Sequence, residues 1–161
     1  MENTEFQTAV ERYQDMIYRL ALHCLASPAD AEDAVQEVLL RLYLESKPFQ
    51  GQEHLRRWLL RVTVNVCRDV LRSPWKRRRV SLEELPEQPA FDHPEERALY
   101  EAVLALPEKY RTVLDLFYYE ELAVKEIAQI LGVGVTTVTT RLSRGRKLLA
   151  ERLKGVWQDD E

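Results

Sequence analysis

Apolar positions recur at steps of three and four through three long N-terminal runs, the period of an amphipathic helix. From about Glu5 to Leu25 they are Phe6, Ala9, Val10, Tyr13, Ile17, Leu20 and Cys24. "SPAD" then opens a second run, with Ser27 placed to cap, Pro28 at the first helical position and Asp30 placed to reach back as in a capping box. Its inward set is Ala31, Ala34, Val35, Val38, Leu39, Leu42 and Tyr43. "SKPFQGQEH" (46–54) breaks the period with Pro and Gly and predicts a loop. A third helix, about Glu53 to Arg72, turns Leu55, Leu59, Val62, Val66 and Val70 inward. Three helices of this length predict a compact bundle over residues 1–73.

The period lapses over "SPWKRRRVSLEELPEQPAFDHP" (73–94), which holds four prolines, a basic cluster and then acids. This composition predicts an interdomain linker, partly extended, with its centre at residues 74–92. Helical spacing returns over residues 93–161: "EERALYEAVLAL", a helix begun by Pro107 in "PEKYRTVLDLFYYEE", and "AVKEIAQILG", stopped by Gly132. The last helix starts in "GVGVTTVTTRLSRGRKLL". No strand signal exceeds a short apolar run, so the pattern predicts an all-α chain of two small helical domains joined by a linker.

The final two helices have the form helix, Gly-containing turn, helix. Ile127, Ala128 and Leu131 face inward from the first, and Val135, Val138, Leu142, Gly145 and Leu149 from the second. Thr136, Thr137, Thr140, Ser143, Arg144 and Lys147 spread over the opposite flank. Threonine is a mediocre helix former, so four threonines near one helix start point to contact. A helix-turn-helix lays such a flank in the DNA major groove, where short hydroxyls let the backbone come close and an arginine can fork onto guanine.

Composition sharpens this picture. The chain has 161 residues, 45% hydrophobic and 31% charged, enough for one ordinary domain or two small ones. The net charge of −4 argues at first against nucleic acid, yet the charges are segregated. On the third helix Arg57, Arg61, Arg68 and Arg72 fall within about 60° of rotation, with Asn65 and Trp58 flanking them. A basic stripe edged by polar and aromatic groups suits a displaced single strand. Trp58 has two readings, packing against the bundle or stacking on a base. On the second helix Asp33, Gln36, Glu37 and Leu40 lie opposite the core, an acidic stripe that repels DNA and suits a basic protein. Catalysis is not expected: there is no nucleophile elbow, metal triad or phosphate loop, and no strand leads into "GVG" at 132–134. The histidines are scattered, and Cys24 and Cys67 sit in apolar stripes as buried thiols, so neither metal nor cofactor is expected. No apolar run approaches the roughly 18–20 residues of a membrane span, and "MENTEFQ" lacks a signal-peptide pattern. A cytoplasmic location follows as the expectation.

The order of these features resembles the extracytoplasmic-function (ECF) group of bacterial RNA polymerase sigma factors over nearly the whole chain. The motifs are D-A-E-D-A-V-Q-E, a loop with "FQG", "RRWLLRVTVN", a variable linker, L-P-E-K-Y-R, E-I-A-Q-I-L-G and a C-terminal R-L-S-R-G-R. The resemblance implies that Asp33, Gln36, Glu37 and Leu40 dock on the clamp helices of the largest subunit of core RNA polymerase. It implies that the loop from Phe49 and Gln50 to His54, with Arg57, Trp58, Arg61, Asn65 and Arg68, captures and opens the downstream promoter element. Thr136, Thr137, Thr139, Thr140, Arg141, Ser143, Arg144 and Lys147 would read the upstream element. It further implies an anti-sigma factor that covers both faces, and no small-molecule substrate. The chain departs from the family at Thr139, where a basic residue is frequent, at Gly145, where alanine is usual, and in "VTVN", where "IARN" is commoner. The lost charge at Thr139 predicts weakened or redirected upstream recognition. A stand-alone DNA-binding regulator, with the N-terminal bundle as sensor or dimeriser, is the competing reading.

Overall fold

The computed structural model describes residues 1–73 and 94–157. Among these the chain is helical without a strand, and it divides into two compact units, Met1–Pro86 and Glu87–Glu161. The expected linker at 74–92, with its basic tract, lies outside the described residues.

The first unit consists of α1 (Asn3–Leu25), α2 (Pro28–Leu44) and α3 (Gln52–Arg72), each packed on the other two. Ile17, Leu20, Val38, Leu42, Leu59 and Leu60 are fully enclosed at its centre. Helix α1 stops at Ala26, which adopts a left-handed φ of 51° and donates its N–H to the Leu22 carbonyl. That role usually falls to glycine, so periodicity alone does not reveal it. Helix α2 opens as its sequence demands. The Ser27 hydroxyl accepts from the Asp30 N–H at 3.3 Å, and Pro28 occupies the first turn, where its missing N–H leaves nothing unsatisfied.

Four expected core positions, on three helices, are corrected. Tyr43 is 45% exposed, its ring edge-on to half-buried Phe6 at 5.2 Å, because it lies one turn beyond exposed Leu40 on the outward side of α2 while its neighbour Leu42 closes the core. The buried face of α3 is rotated toward Leu60, Thr63, Val64 and Cys67, leaving Val62 and Val70 only half-buried. Thr63 tolerates full burial because its hydroxyl donates to the Leu59 carbonyl at 2.7 Å. Finally, Val135 is 49% exposed: it is the first residue of the last helix, and the inward stripe begins one turn later, at Val138.

The second unit comprises α4 (Pro94–Leu104), α5 (Glu108–Leu114), α6 (Val124–Leu131) and α7 (Val135–Trp157). The expected helix from Pro107 does not run through smoothly. After Leu114 the backbone widens into a π turn, Asp115–Tyr119, closed by the Glu120 N–H donating to the Asp115 carbonyl at 3.2 Å. Helix α7 runs past α4, α5 and α6. Buried Gly145 lets α5 approach: a Cβ there would stand 3.4 Å from the Leu114 Cδ1 and Tyr110 Cβ atoms.

Candidate functional site

Two surfaces of the first unit and one of the second carry the residues singled out by sequence. On α2, Asp33, Gln36 and Leu40 point to solvent, and Leu40 is 51% exposed. Glu37 is half-buried and already engaged, its carboxylate accepting from Arg41 Nε at 3.0 Å; Arg41 also lies 4.0 Å from Asp69 of α3. Sequence reasoning missed this pairing, although the i,i+4 spacing of Glu37 and Arg41 is its signal. The face therefore presents Asp33 as its uncommitted carboxylate, with Leu40, Tyr43 and Leu44 as exposed apolar neighbours.

The second surface joins the loop after α2 to the outward side of α3. Helix α3 begins at Gln52, one residue before the start expected at Glu53, so the end of the Pro/Gly stretch, Gln52 to His54, is helical. Gly51, at φ 95°, makes the turn into it. Three contacts hold the loop. The Tyr13 hydroxyl of α1 donates to Gln52 Oε1 at 2.9 Å. The Gln50 N–H donates to His54 Nδ1 at 2.9 Å, a bond that needs that nitrogen unprotonated. Phe49, half-buried, meets the rings of His54 and Trp58 edge-on, each at 5.3 Å. Trp58 is half-buried against this loop, between its two sequence readings. Beyond the trio Arg57, Arg61, Asn65 and Arg72 are exposed and Arg68 is half-buried, all on one side of α3. Glu53 accepts from Arg56 at 2.9 Å and Arg57 at 3.4 Å, exposed pairs that phosphate can displace at little cost. A cleft of about 720 Å³ opens beside Phe49, walled by Thr4, Thr8 and Arg12 of α1 and by Lys47.

The third surface is the outward flank of α7. Helix α6 starts with half a capping box, Glu126 Oε1 accepting from the Ala123 N–H at 3.3 Å, since Ala123 has no hydroxyl to return the bond. It ends at Gly132, left-handed at φ 67°, whose N–H reaches the Ala128 carbonyl. Ile127, Ala128, Leu131, Val138 and Leu142 close the inner side. Thr136, Thr137 and Thr139 are exposed and Thr140 is half-buried. Thr139 differs from the others: its hydroxyl donates back to the Thr136 carbonyl at 2.9 Å, which commits its proton within the helix. Ser143, Arg144 and Lys147 stand exposed further along, and Arg141 is half-buried. Among the described residues neither Arg144 nor Lys147 has an acidic partner. These positions form one polar flank on a helix whose opposite side is the core of the unit.

No group of three or more His, Cys, Asp or Glu side chains among the described residues is arranged to hold a metal ion. Cys24 and Cys67 are buried and form no disulfide. No described helix is long and apolar enough to cross a membrane.

Comparison with known proteins bears on both units. Residues 9–77 match the family model of Sigma-70 region 2, and residues 96–149 match that of Sigma-70, region 4. The chain is similar to the ECF RNA polymerase sigma factor SigW of Bacillus subtilis, 31% identical over 92% of this chain and 89% of that one. The RNA polymerase sigma factor SigV of the same organism is 32% identical over 91% and 89% of the two chains. Among solved structures, the sigma factor RpoE in complex with the anti-sigma factor NepR from Bartonella quintana aligns with a TM-score of 0.68, covering 93% of this chain and 97% of that one. CnrH in complex with the cytosolic domain of CnrY aligns at 0.64 over 96% and 90%. Both structures are 22% identical and show a shared fold.

Proposed function

The chain belongs to the extracytoplasmic-function sigma factors of RNA polymerase, and from that membership we propose how its surfaces divide the work of starting transcription. The acidic stripe of α2, Asp33 foremost with Gln36, Glu37 and Leu40, grips the clamp helices of core polymerase. The loop from Phe49 to His54 and the basic side of α3, Arg57, Trp58, Arg61, Asn65 and Arg68, capture and open the downstream promoter element. Unstacking a base costs a few kcal/mol. The ring trio and the cleft beside Phe49 offset that cost by receiving the base, while the arginines follow the strand's phosphates. The polar flank of α7, from Thr136 to Lys147, reads the upstream element in the major groove. The protein acts as a specificity subunit and catalyses nothing itself.

The observation that carries this reading is the exposure of the α2 stripe. A side chain sealed in the bundle offers a polymerase nothing, and here Asp33, Gln36 and Leu40 all face solvent. The chain's net charge of −4 fits the same account. Such a protein binds DNA weakly alone, since non-specific affinity comes from neutralising phosphates. The two DNA-reading units act together once the polymerase fixes both, as linked modules do. By analogy with the RpoE–NepR complex, a protein partner holds both faces when transcription is not required, and affinity purification from the native host should recover it.

The decisive experiment is transcription with purified chain and core polymerase on a two-element promoter, where neither protein alone should yield transcript. Asp33→Ala combined with Glu37→Ala should abolish core binding in a pull-down. Retained core binding would discard the assignment of α2. Intact promoter binding without polymerase would favour a stand-alone regulator instead.

A further inference from the structure

Arg146 closes the R-L-S-R-G-R motif without being given a contact by the sequence, yet it is the cation on α7 with the most fixed placement. The π turn inserts one extra residue into the end of α5 and brings Phe117 and Tyr118 side by side, their rings 5.0 Å apart at 81°. Turns of this kind are rare and concentrate at functional sites. The guanidinium of Arg146 sits against both rings, its Cζ 5.2 Å from the Phe117 centroid and 5.6 Å from that of Tyr118. Both distances fall within cation–π range. Arg146 Nε donates to the Tyr118 hydroxyl at 2.6 Å. Both residues remain exposed, and among the described residues the two terminal nitrogens of Arg146 have no partner.

A guanidinium with its inner nitrogen bound, its face supported and its outer fork open is arranged to take an anion with little loss of side-chain freedom. Position along the helix identifies the anion. Arg146 lies 11 residues beyond Val135, about 16 Å along the axis at 1.5 Å per residue. The major groove is about 12 Å wide. With the N-terminal residues of α7 at base edges, Arg146 has already passed the groove and stands at its phosphate wall. It shares a flank with Thr139 and lies about 100° from Lys147 around the axis.

We infer that Arg146, held by Tyr118 and Phe117, is a preformed clamp for one DNA backbone phosphate bordering the upstream promoter element. The inference rests on the assignment of α7 to that element. It makes Arg146 a contact that sets register and affinity without reading sequence, and Tyr118 a positioning residue that acts through it.

The test uses holoenzyme assembled with core polymerase from the organism that encodes the chain, on duplexes bearing a single neutral methylphosphonate at each phosphate flanking the upstream element. One such substitution should weaken wild-type binding about 5-fold and cost the Arg146→Gln holoenzyme nothing further. Arg146→Gln should weaken binding to matched and mismatched upstream sequences alike, and reduce the slope of log affinity against log salt by about 0.9. Tyr118→Phe keeps the ring and the charge, so it should cost about 2-fold with the slope unchanged. A methylphosphonate penalty that persists in Arg146→Gln would overturn the clamp, as would a loss confined to one base sequence. So would an affinity loss in both variants that merely tracks a lower thermal midpoint. If wild-type holoenzyme does not distinguish the upstream element from a scrambled one, the assignment of α7 itself fails, and the clamp with it. Discrimination with an unchanged methylphosphonate pattern removes the clamp alone.

Discussion

The basic side of α3 presents four arginines beyond a trio of rings, Phe49, His54 and Trp58, whereas the outward flank of α7 leads with threonines and places its cations two turns later. The materials match different states of DNA. A duplex offers base edges at the floor of a groove, and short hydroxyls let a helix backbone descend to them. A melted strand has no groove. Its bases need flat partners and its phosphates need charge along their whole path. Two DNA-facing surfaces of one protein thus differ because one meets paired bases and the other meets bases that have left the stack.

Two templates separate these roles: a fork with the downstream element single-stranded and no upstream element, and a duplex with only the upstream element. The largest effect should come from Phe49→Ala with Trp58→Ala. Stacking is worth about 1–3 kcal/mol per base, so holoenzyme binding to the fork should fall about 10- to 100-fold while the duplex is bound as before. Equal loss on both templates would break the distinction. Next, Thr136→Val and Thr140→Val should each cost about 5-fold on the duplex and nothing on the fork. A smaller effect, about 3-fold on the fork, is expected for His54→Ala, which leaves the Gln50 N–H without its acceptor. His54→Asn should restore binding, because its side-chain oxygen can take the place of Nδ1. A His54→Asn variant as weak as His54→Ala would show that the ring itself matters more than the loop bond. The smallest change belongs to Gly145→Ala. Its Cβ would meet Leu114 and Tyr110 at ordinary contact distance, and alanine gains about 1 kcal/mol over glycine inside a helix. Calorimetry should show a higher unfolding midpoint with promoter choice unaltered, and a lower midpoint would mean that α5 cannot yield even a few tenths of an ångström.

Helix number, order and approximate bounds were legible because each run repeats its apolar residues over about two turns or more. The outward placement of Asp33, Gln36, Arg57, Arg61, Thr136 and Ser143 followed from the same angular arithmetic. Legibility failed where geometry departs from a straight cylinder with ordinary ends. Val135 looked apolar and inward, but a first-turn residue has no preceding turn of α7 to cover it. Tyr43 fits the stripe of α2, yet it lies at the stripe's edge, one turn beyond exposed Leu40. Ala26 takes a left-handed conformation that glycine normally announces. The Arg146–Tyr118 bond joins residues 28 apart across a π turn, and no 3.6-residue period anticipates it. Glu37, by contrast, was readable in principle, since Arg41 stands one turn on with the charge order that favours pairing.

A π turn is an ordinary helix carrying one residue more than its pitch accommodates. Deleting Asp115 or Leu116 would make α5 more regular and swing its later side chains by about 100°, carrying the aromatic pair away from the guanidinium beside it. A shortened chain of this kind would fold with better local hydrogen bonding and start transcription less well. Length in this segment is therefore constrained by the neighbouring helix, and homologues one residue shorter should hold their equivalent arginine by some other device.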